Sequence, residues 1–155
     1  MYQLHTRLFV NASLEEVWEF FSSPHNLQKI TPASMGFVIK AGGEGKMYPG
    51  QIIAYTVKPI AGIPMNWVTE ITHVAEKKFF VDEQRFGPYR MWHHEHHFRQ
   101  VDGGVEMEDV VSYLMPFGFL GKIAHWLFVK RQLQTIFDYR TQVVSRLFPR
   151  AENKK

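Results

Sequence analysis

Between residues 51 and 114 the chain keeps returning to the alternating pattern of half-buried strands, separated by connections of only a few residues. Strand-like runs cover 51–58, 66–74, 79–85, 91–101 and 105–114. Pro59 to Pro64, the polar stretch 75–78, Gly87-Pro88 and Asp102-Gly103-Gly104 punctuate them. Sequential strands with short connections pair into an antiparallel meander, and a meander has one face that something must cover. The cover is written into 118–147. There Ile123, Trp126, Leu127, Val129, Leu133, Ile136, Phe137, Val143, Val144 and Leu147 recur at three- and four-residue spacing until Pro149. A helix of roughly 28 residues spans about 42 Å, enough to cross a curved sheet diagonally.

The first third supplies the remaining elements. Residues 2–10 alternate weakly and predict a first strand. Ser13, followed three residues later by Glu16, has capping-box spacing ahead of Leu14, Val17, Trp18, Phe20 and Phe21. Pro24 suits the first turn of a second short helix, 24–30, which Thr31-Pro32 ends. A short strand, 35–40, precedes a glycine-bearing loop, 41–50. The expected fold class is therefore α+β: a curved antiparallel sheet of about six to seven strands, two short N-terminal helices and one long C-terminal helix packed across it. A single domain is expected over 1–149, with 150–155 a polar tail.

Composition narrows the function classes. The 155 residues include no cysteine, which excludes disulfides, thiolate metal sites and cysteine nucleophiles. A net charge of only +3, from 18 basic and 15 acidic residues, does not imply nucleic acid. Lys122, Lys130, Arg131, Arg140, Arg146 and Arg150 read as the wet face of the last helix. No apolar run is long enough to span a bilayer, and the stretch Met1 to Arg7 has no signal-peptide character, so a cytoplasmic location is expected. No Gly-x-Ser-x-Gly occurs, and Gly42-Gly43-Glu44-Gly45-Lys46 lacks P-loop spacing. The chain is also 15% aromatic, with 13 phenylalanines and 4 tryptophans, so rigid apolar bulk must fill a core or line a hollow.

Three motifs go further. Gly87-Pro88-Tyr89-Arg90-Met91-Trp92-His93-His94-Glu95-His96-His97-Phe98 is preceded by Phe80-x-Asp82-x-Gln84. It is followed by Met107-x-Asp109-x-Val111-x-Tyr113-x-x-Pro116-x-Gly118. With the opening Val10-Asn11-Ala12-Ser13-Leu14-Glu15-Glu16-Val17-Trp18, this resembles the SRPBCC (START-like, helix-grip) superfamily over nearly the whole chain, and most closely its bacterial ligand-binding branch. The resemblance implies a deep cavity between sheet and C-terminal helix that takes up apolar or amphipathic small molecules. The superfamily also contains lipid carriers and polyketide cyclases or dehydratases, and the resemblance brings no catalytic signature with it.

Period-2 alternation nominates the lining. Trp92, His94, His96 and Phe98 share one strand face; His93, Glu95, His97 and Arg99 share the other, as a solvated face would. The inward set is joined by Asp82 and Gln84, by Asp109, Val111 and Tyr113, and by Trp67. Helix residues Phe117, Leu120, Trp126 and Phe137 are expected to close the cavity. A mostly apolar pocket with a few fixed polar groups binds by burial and orients by hydrogen bonding. The leading expectation is thus a binder of a small hydrophobic or amphipathic molecule. An enzyme alternative is a cyclase- or dehydratase-like lyase using His94 or His96 as base, with Asp109 or Asp82 orienting it. A second alternative is a lipid-surface or protein-interaction module using the basic last helix and the apolar stretch 117–128. His94 and His96 with Asp82 or Asp109 also have the makings of a metal site. Strand alternation already explains the histidine run, so no metal or other cofactor is expected.

Overall fold

The computed structural model describes residues 1–60 and 62–149; the expected tail, 150–155, lies outside the described residues. Strand β1 (Tyr2–Val10) leads into α1 (Leu14–Phe21) and α2 (Pro24–Leu27), followed by a short 3-10 turn, Ala33–Met35. Then come β2 (Val38–Ala41), β3 (Gln51–Ile60), β4 (Ile63–Ala75), β5 (Phe79–Phe86), β6 (Met91–Val101) and β7 (Gly104–Leu114). The C-terminal helix is continuous in sequence but not uniform: α3 (Gly118–Ala124), a π-helical turn (His125–Val129) and α4 (Lys130–Leu147).

The seven strands form one antiparallel sheet in the order β1-β7-β6-β5-β4-β3-β2. Neighbours in sequence pair as hairpins, and only β1 departs from that order, closing beside β7. The hairpin at Asp102-Gly103 turns on Gly103, whose φ of +78° costs glycine nothing. β3, β4 and β5 run longer than their patterns predict, whereas the strand expected at 35–40 begins only at Val38, because Met35 ends a 3-10 turn. β3 continues through Pro59 to Ile60 and β4 starts at Ile63, so the anticipated irregular connection narrows to a turn. The second helix is shorter than predicted, ending at Leu27 instead of residue 30.

Local chemistry accounts for the start of α1. The Ser13 side chain accepts the Glu16 backbone N–H at 3.2 Å, and the Glu16 carboxylate accepts the Ser13 N–H at 2.9 Å. This caps a helix whose Val17, Trp18 and Phe21 are buried against the sheet. The interior then divides into two apolar groups. One gathers Trp18, Phe21, Phe80, Phe98, Met107 and Val144 beneath α1; the other gathers Phe37, Trp67, Trp92, Tyr113, Leu133 and Phe137 beneath α4. Between them lies a patch of buried polar side chains on β5, β6 and β7.

Ser13→Ala should lower stability by about 1 kcal/mol in urea unfolding, because the Glu16 N–H loses its only capping partner. Retention of wild-type stability would show that tertiary packing alone holds α1.

Candidate functional site

The polar patch follows from register. Asp82 on β5 lies directly opposite His94 on β6, and His96 lies directly opposite Asp109 on β7. Residues two apart on a strand share a face, so the four side chains form a square on the inner surface. Hydrogen bonds run along its diagonals. His94 Nε2 donates to Asp109 Oδ1 at 2.9 Å, and His96 Nε2 donates to Asp82 Oδ2 at 2.9 Å. His94 Nδ1 lies 3.4 Å from Asp82 Oδ2. His96 Nδ1 comes within 2.9 Å of Asp109 Oδ1, but out of line for a hydrogen bond. Arg140, from α4, reaches down and donates to the same Asp109 oxygen at 3.0 Å.

Five ionisable groups in a nearly dry place must balance their charge. Burial pushes the Asp109 carboxyl up, but Arg140 and the two imidazoles outweigh it and hold Asp109 well below the ordinary range. Asp82 is likewise held low against its burial, by the His96 hydrogen bond and the charges around it. The histidines separate. Burial and the charge on His96 lower His94, whereas at His96 the Asp109 and Asp82 carboxylates overcome burial and raise it. Of the two imidazoles His96 holds a proton the more readily, and it stands with Arg140 against the two carboxylates. His96 commits Nε2 to Asp82 at 2.9 Å, while its Nδ1 lies 2.9 Å from Asp109 without a hydrogen bond. His94 commits Nε2 to Asp109 and turns Nδ1 toward Asp82 at 3.4 Å.

Beside this square is a partly open cavity of about 160 Å³ lined from β2 to β6, α1, α2 and α4. Its wall is mostly apolar, including Phe21, Leu27, Ile53, Ile71, Leu133 and Ile136, with Tyr55, Thr69, Asp82, His94, His96 and Arg140 as polar points. Tyr55 and Thr69 share a hydroxyl hydrogen bond of 2.9 Å. Burial and the Asp82 charge push the Tyr55 hydroxyl up, keeping it protonated. Gln132 of α4 donates to the Pro59 carbonyl across the edge of the cavity. Trp67 Nε1 and Arg140 Nε are buried donors without a hydrogen-bond partner.

Trp67, Asp82, Trp92, His94, His96 and Phe137 of the sequence-nominated residues border the cavity. Asp109 lies behind the histidines. Phe98, Val111 and Tyr113 are buried but belong to the solid core on either side. Gln84 instead staples the β5–β6 turn, donating to the Tyr89 carbonyl at 2.6 Å and accepting the Tyr89 N–H at 3.2 Å. The helix residues need the largest correction. Phe117, Leu120 and Trp126 are 83%, 69% and 80% exposed, and none closes the cavity. The inward stripe of the helix is Gly121, His125, Val129, Leu133, Phe137, Arg140 and Val144, so apolar periodicity picked the wrong face before residue 129. Gly121 is inward because nothing larger fits: a Cβ there would meet the Pro116 carbonyl oxygen at 1.9 Å. His125 is inward because Tyr113 holds its Nε2 at 2.8 Å and Tyr2 stacks on its ring at 3.5 Å.

Arg140 also moves, from the expected wet face to the interior. The signal was present in its flanks, since Phe137 and Val144 sit one helical turn away on either side. Phe21, Leu27, Tyr55 and Thr69 are among the further wall residues that sequence reasoning left out of the site.

No family model matches the chain, and no curated protein matches it. Solved structures do. Protein CV1439 from Chromobacterium violaceum superposes with a TM-score of 0.72 at 12% identity, over 96% of this chain and 98% of that one. Ginseng major latex-like protein 151 from Panax ginseng gives 0.68 at 15% identity, over 96% and 97%. TTHA0849 from Thermus thermophilus gives 0.69 at 10% identity, over 94% and 95%. The fold is a helix grip. Among the described residues, no helix is long and apolar enough to cross a membrane.

Replacing Asp109 with Asn takes from the buried Arg140 its carboxylate partner and leaves His96 with Asp82 alone. It should cost about 3–5 kcal/mol in urea unfolding. Glu95→Gln, on the outer face of the same sheet, should stay within about 0.5 kcal/mol of wild type. Equal effects from the two would dismiss the network as the tie between sheet and helix.

Proposed function

We propose that the protein binds a small hydrophobic or amphipathic molecule in the cavity between the sheet and the C-terminal helix. The observation that carries this is the cavity itself: about 160 Å³ with a mainly apolar wall and a few polar groups. An apolar cavity of about 150 Å³ stays dry and takes up benzene, so the space suits a guest of one or two rings or a short chain and is too small for a whole phospholipid. Burial of the guest's apolar surface, at about 25 cal/mol per Å², supplies the affinity. The unpartnered Trp67 Nε1 and the Tyr55–Thr69 hydroxyls favour a guest that carries an acceptor oxygen.

Titration with an environment-sensitive apolar dye, followed by mass spectrometry of molecules extracted from the purified protein, tests this reading. Ile136→Trp should fill the cavity and weaken dye binding at least tenfold while the thermal midpoint moves little. Dye affinity that ignores Ile136→Trp would place the dye elsewhere and remove the support for this reading.

A second reading rests on the exposed side of the helix. Phe117, Phe119, Leu120, Trp126 and Leu127 are all solvent-facing, an apolar patch of a kind that marks interaction surfaces. Between Asp109 and Asp138 the chain has no acidic residue, whereas Lys122, Lys130 and Arg131 are exposed beside the patch. Aromatic side chains ringed by cations suit an anionic bilayer surface, and the shared positive charge disfavours a second copy. The protein should co-sediment with vesicles containing phosphatidylserine, less so at high salt, and Trp126→Ser should reduce the bound fraction several-fold. Equal binding to purely zwitterionic vesicles would refute the electrostatic part of this reading.

A further inference from the structure

The inner square is arranged more strictly than hydrogen bonding requires. Each imidazole turns one nitrogen toward Asp82 and the other toward Asp109. His94 Nδ1 and His96 Nε2 lie 3.4 and 2.9 Å from Asp82 Oδ2, and His94 Nε2 and His96 Nδ1 both lie 2.9 Å from Asp109 Oδ1. One donor atom each from Asp82, His94 and His96 falls within 4.8 Å of the others. From this geometry we propose that the three residues bind one divalent transition-metal ion of the zinc type through Asp82 Oδ2, His94 Nδ1 and His96 Nε2. Asp109 and Arg140 hold the imidazoles from behind.

The dimensions fit. Zinc bonds to imidazole nitrogen and carboxylate oxygen are about 2.0–2.1 Å, which sets donors about 3.3 Å apart at tetrahedral angles and about 2.9 Å apart at right angles. The separations of 3.4 and 2.9 Å from Asp82 already match these values, and the two imidazole donors lie within 4.8 Å of each other, so an ion would draw the rings together. The donor types fit too: two imidazoles and one carboxylate form a borderline-hard set that suits zinc or ferrous iron over calcium or magnesium. Most metal-bound histidines donate the second ring N–H to a carboxylate, which fixes the tautomer and strengthens the ligand. Asp109 serves His94 in that way and lies 2.9 Å from His96 Nδ1, and Arg140 in turn fixes Asp109. On binding, the ion takes the place of the proton now shared between His96 and Asp82. Three protein ligands leave a coordination position open, and all three line the cavity. The site needs no organic guest, so it stands apart from the ligand-binding reading.

The full-length chain, stripped by chelator, should take up one equivalent of Co2+ with the ligand-field absorption of a nitrogen–oxygen site, and Zn2+ should displace it. His94→Gln and Asp82→Asn should each weaken Co2+ binding at least tenfold. The outward-facing control His93→Gln/His97→Gln should leave it unchanged. Because substitutions at buried positions endanger folding, nitrogen NMR of the unaltered protein gives a second readout: Zn2+ should shift His94 Nδ1 and His96 Nε2. Absence of saturable Co2+ binding, loss of binding in the His93/His97 control, or unmoved His94 and His96 resonances would overturn the proposal. Dye uptake measured on the same samples separates the two ideas. Dye binding without metal binding removes the metal site alone, and metal binding without dye binding removes the apolar-guest reading alone.

Discussion

Asp109 carries one buried negative charge to which both the sheet and the C-terminal helix are bound. A carboxylate beneath a helix is unfavourable until something offsets its lost hydration, and here Arg140 and His94 do so with hydrogen bonds of 3.0 and 2.9 Å. This fixes where α4 lies across β7 and β6. It also fixes the tautomer of His94, which then presents Nδ1 toward Asp82. Apolar packing by Leu133, Phe137 and Val144 is less directional and tolerates sliding; a guanidinium held to one oxygen does not.

The helix is held at a height that leaves space beside the charged square. The two apolar groups, under α1 and under the middle of α4, both lend residues to the wall of that space, Phe21 and Phe80 from one and Trp67, Trp92 and Phe137 from the other. Between them the wall residues come from nearly every element, and much of the bulk is aromatic. Tyr55, Trp67, Tyr89 and Trp92 contact one another edge-on, stacked or tilted at centroid separations of 4.9 to 5.9 Å, forming a rigid arc. Rigid rings braced against one another do not collapse into a void as flexible aliphatic chains would. The hollow is therefore a consequence of which residues frame it.

Much of this was legible in the order of the amino acids. Alternation placed His94 and His96 inward and His93 and His97 outward, because a strand's period of two leaves a side chain no other choice. The Ser13–Glu16 capping box and the hairpin at Gly103 were equally plain, being local in sequence. The long helix was legible as a helix and misread as a surface. Hydrophobic periodicity assumes that apolar residues face the protein, whereas Trp126 and Leu120 face solvent and His125 and Arg140 face inward. Those inward places are decided by partners far away in the chain, Tyr113 and Asp109, which no local window contains. The Asp82–His94 and His96–Asp109 juxtapositions are similar: the residue types were visible, but their pairing depended on register across three strands.

The π-helical turn at His125–Val129 bears on how the two halves of the helix are related. Such a turn holds one residue more than an α-helical repeat, so it rotates everything downstream by about 100° relative to a straight rod. Upstream, the greasy side is aimed at the outside world; downstream, it is aimed at the hollow. One short stretch thus lets a single rod serve two clients on different bearings. Trimming a single residue there would swing the anchoring guanidinium out of reach of its anion.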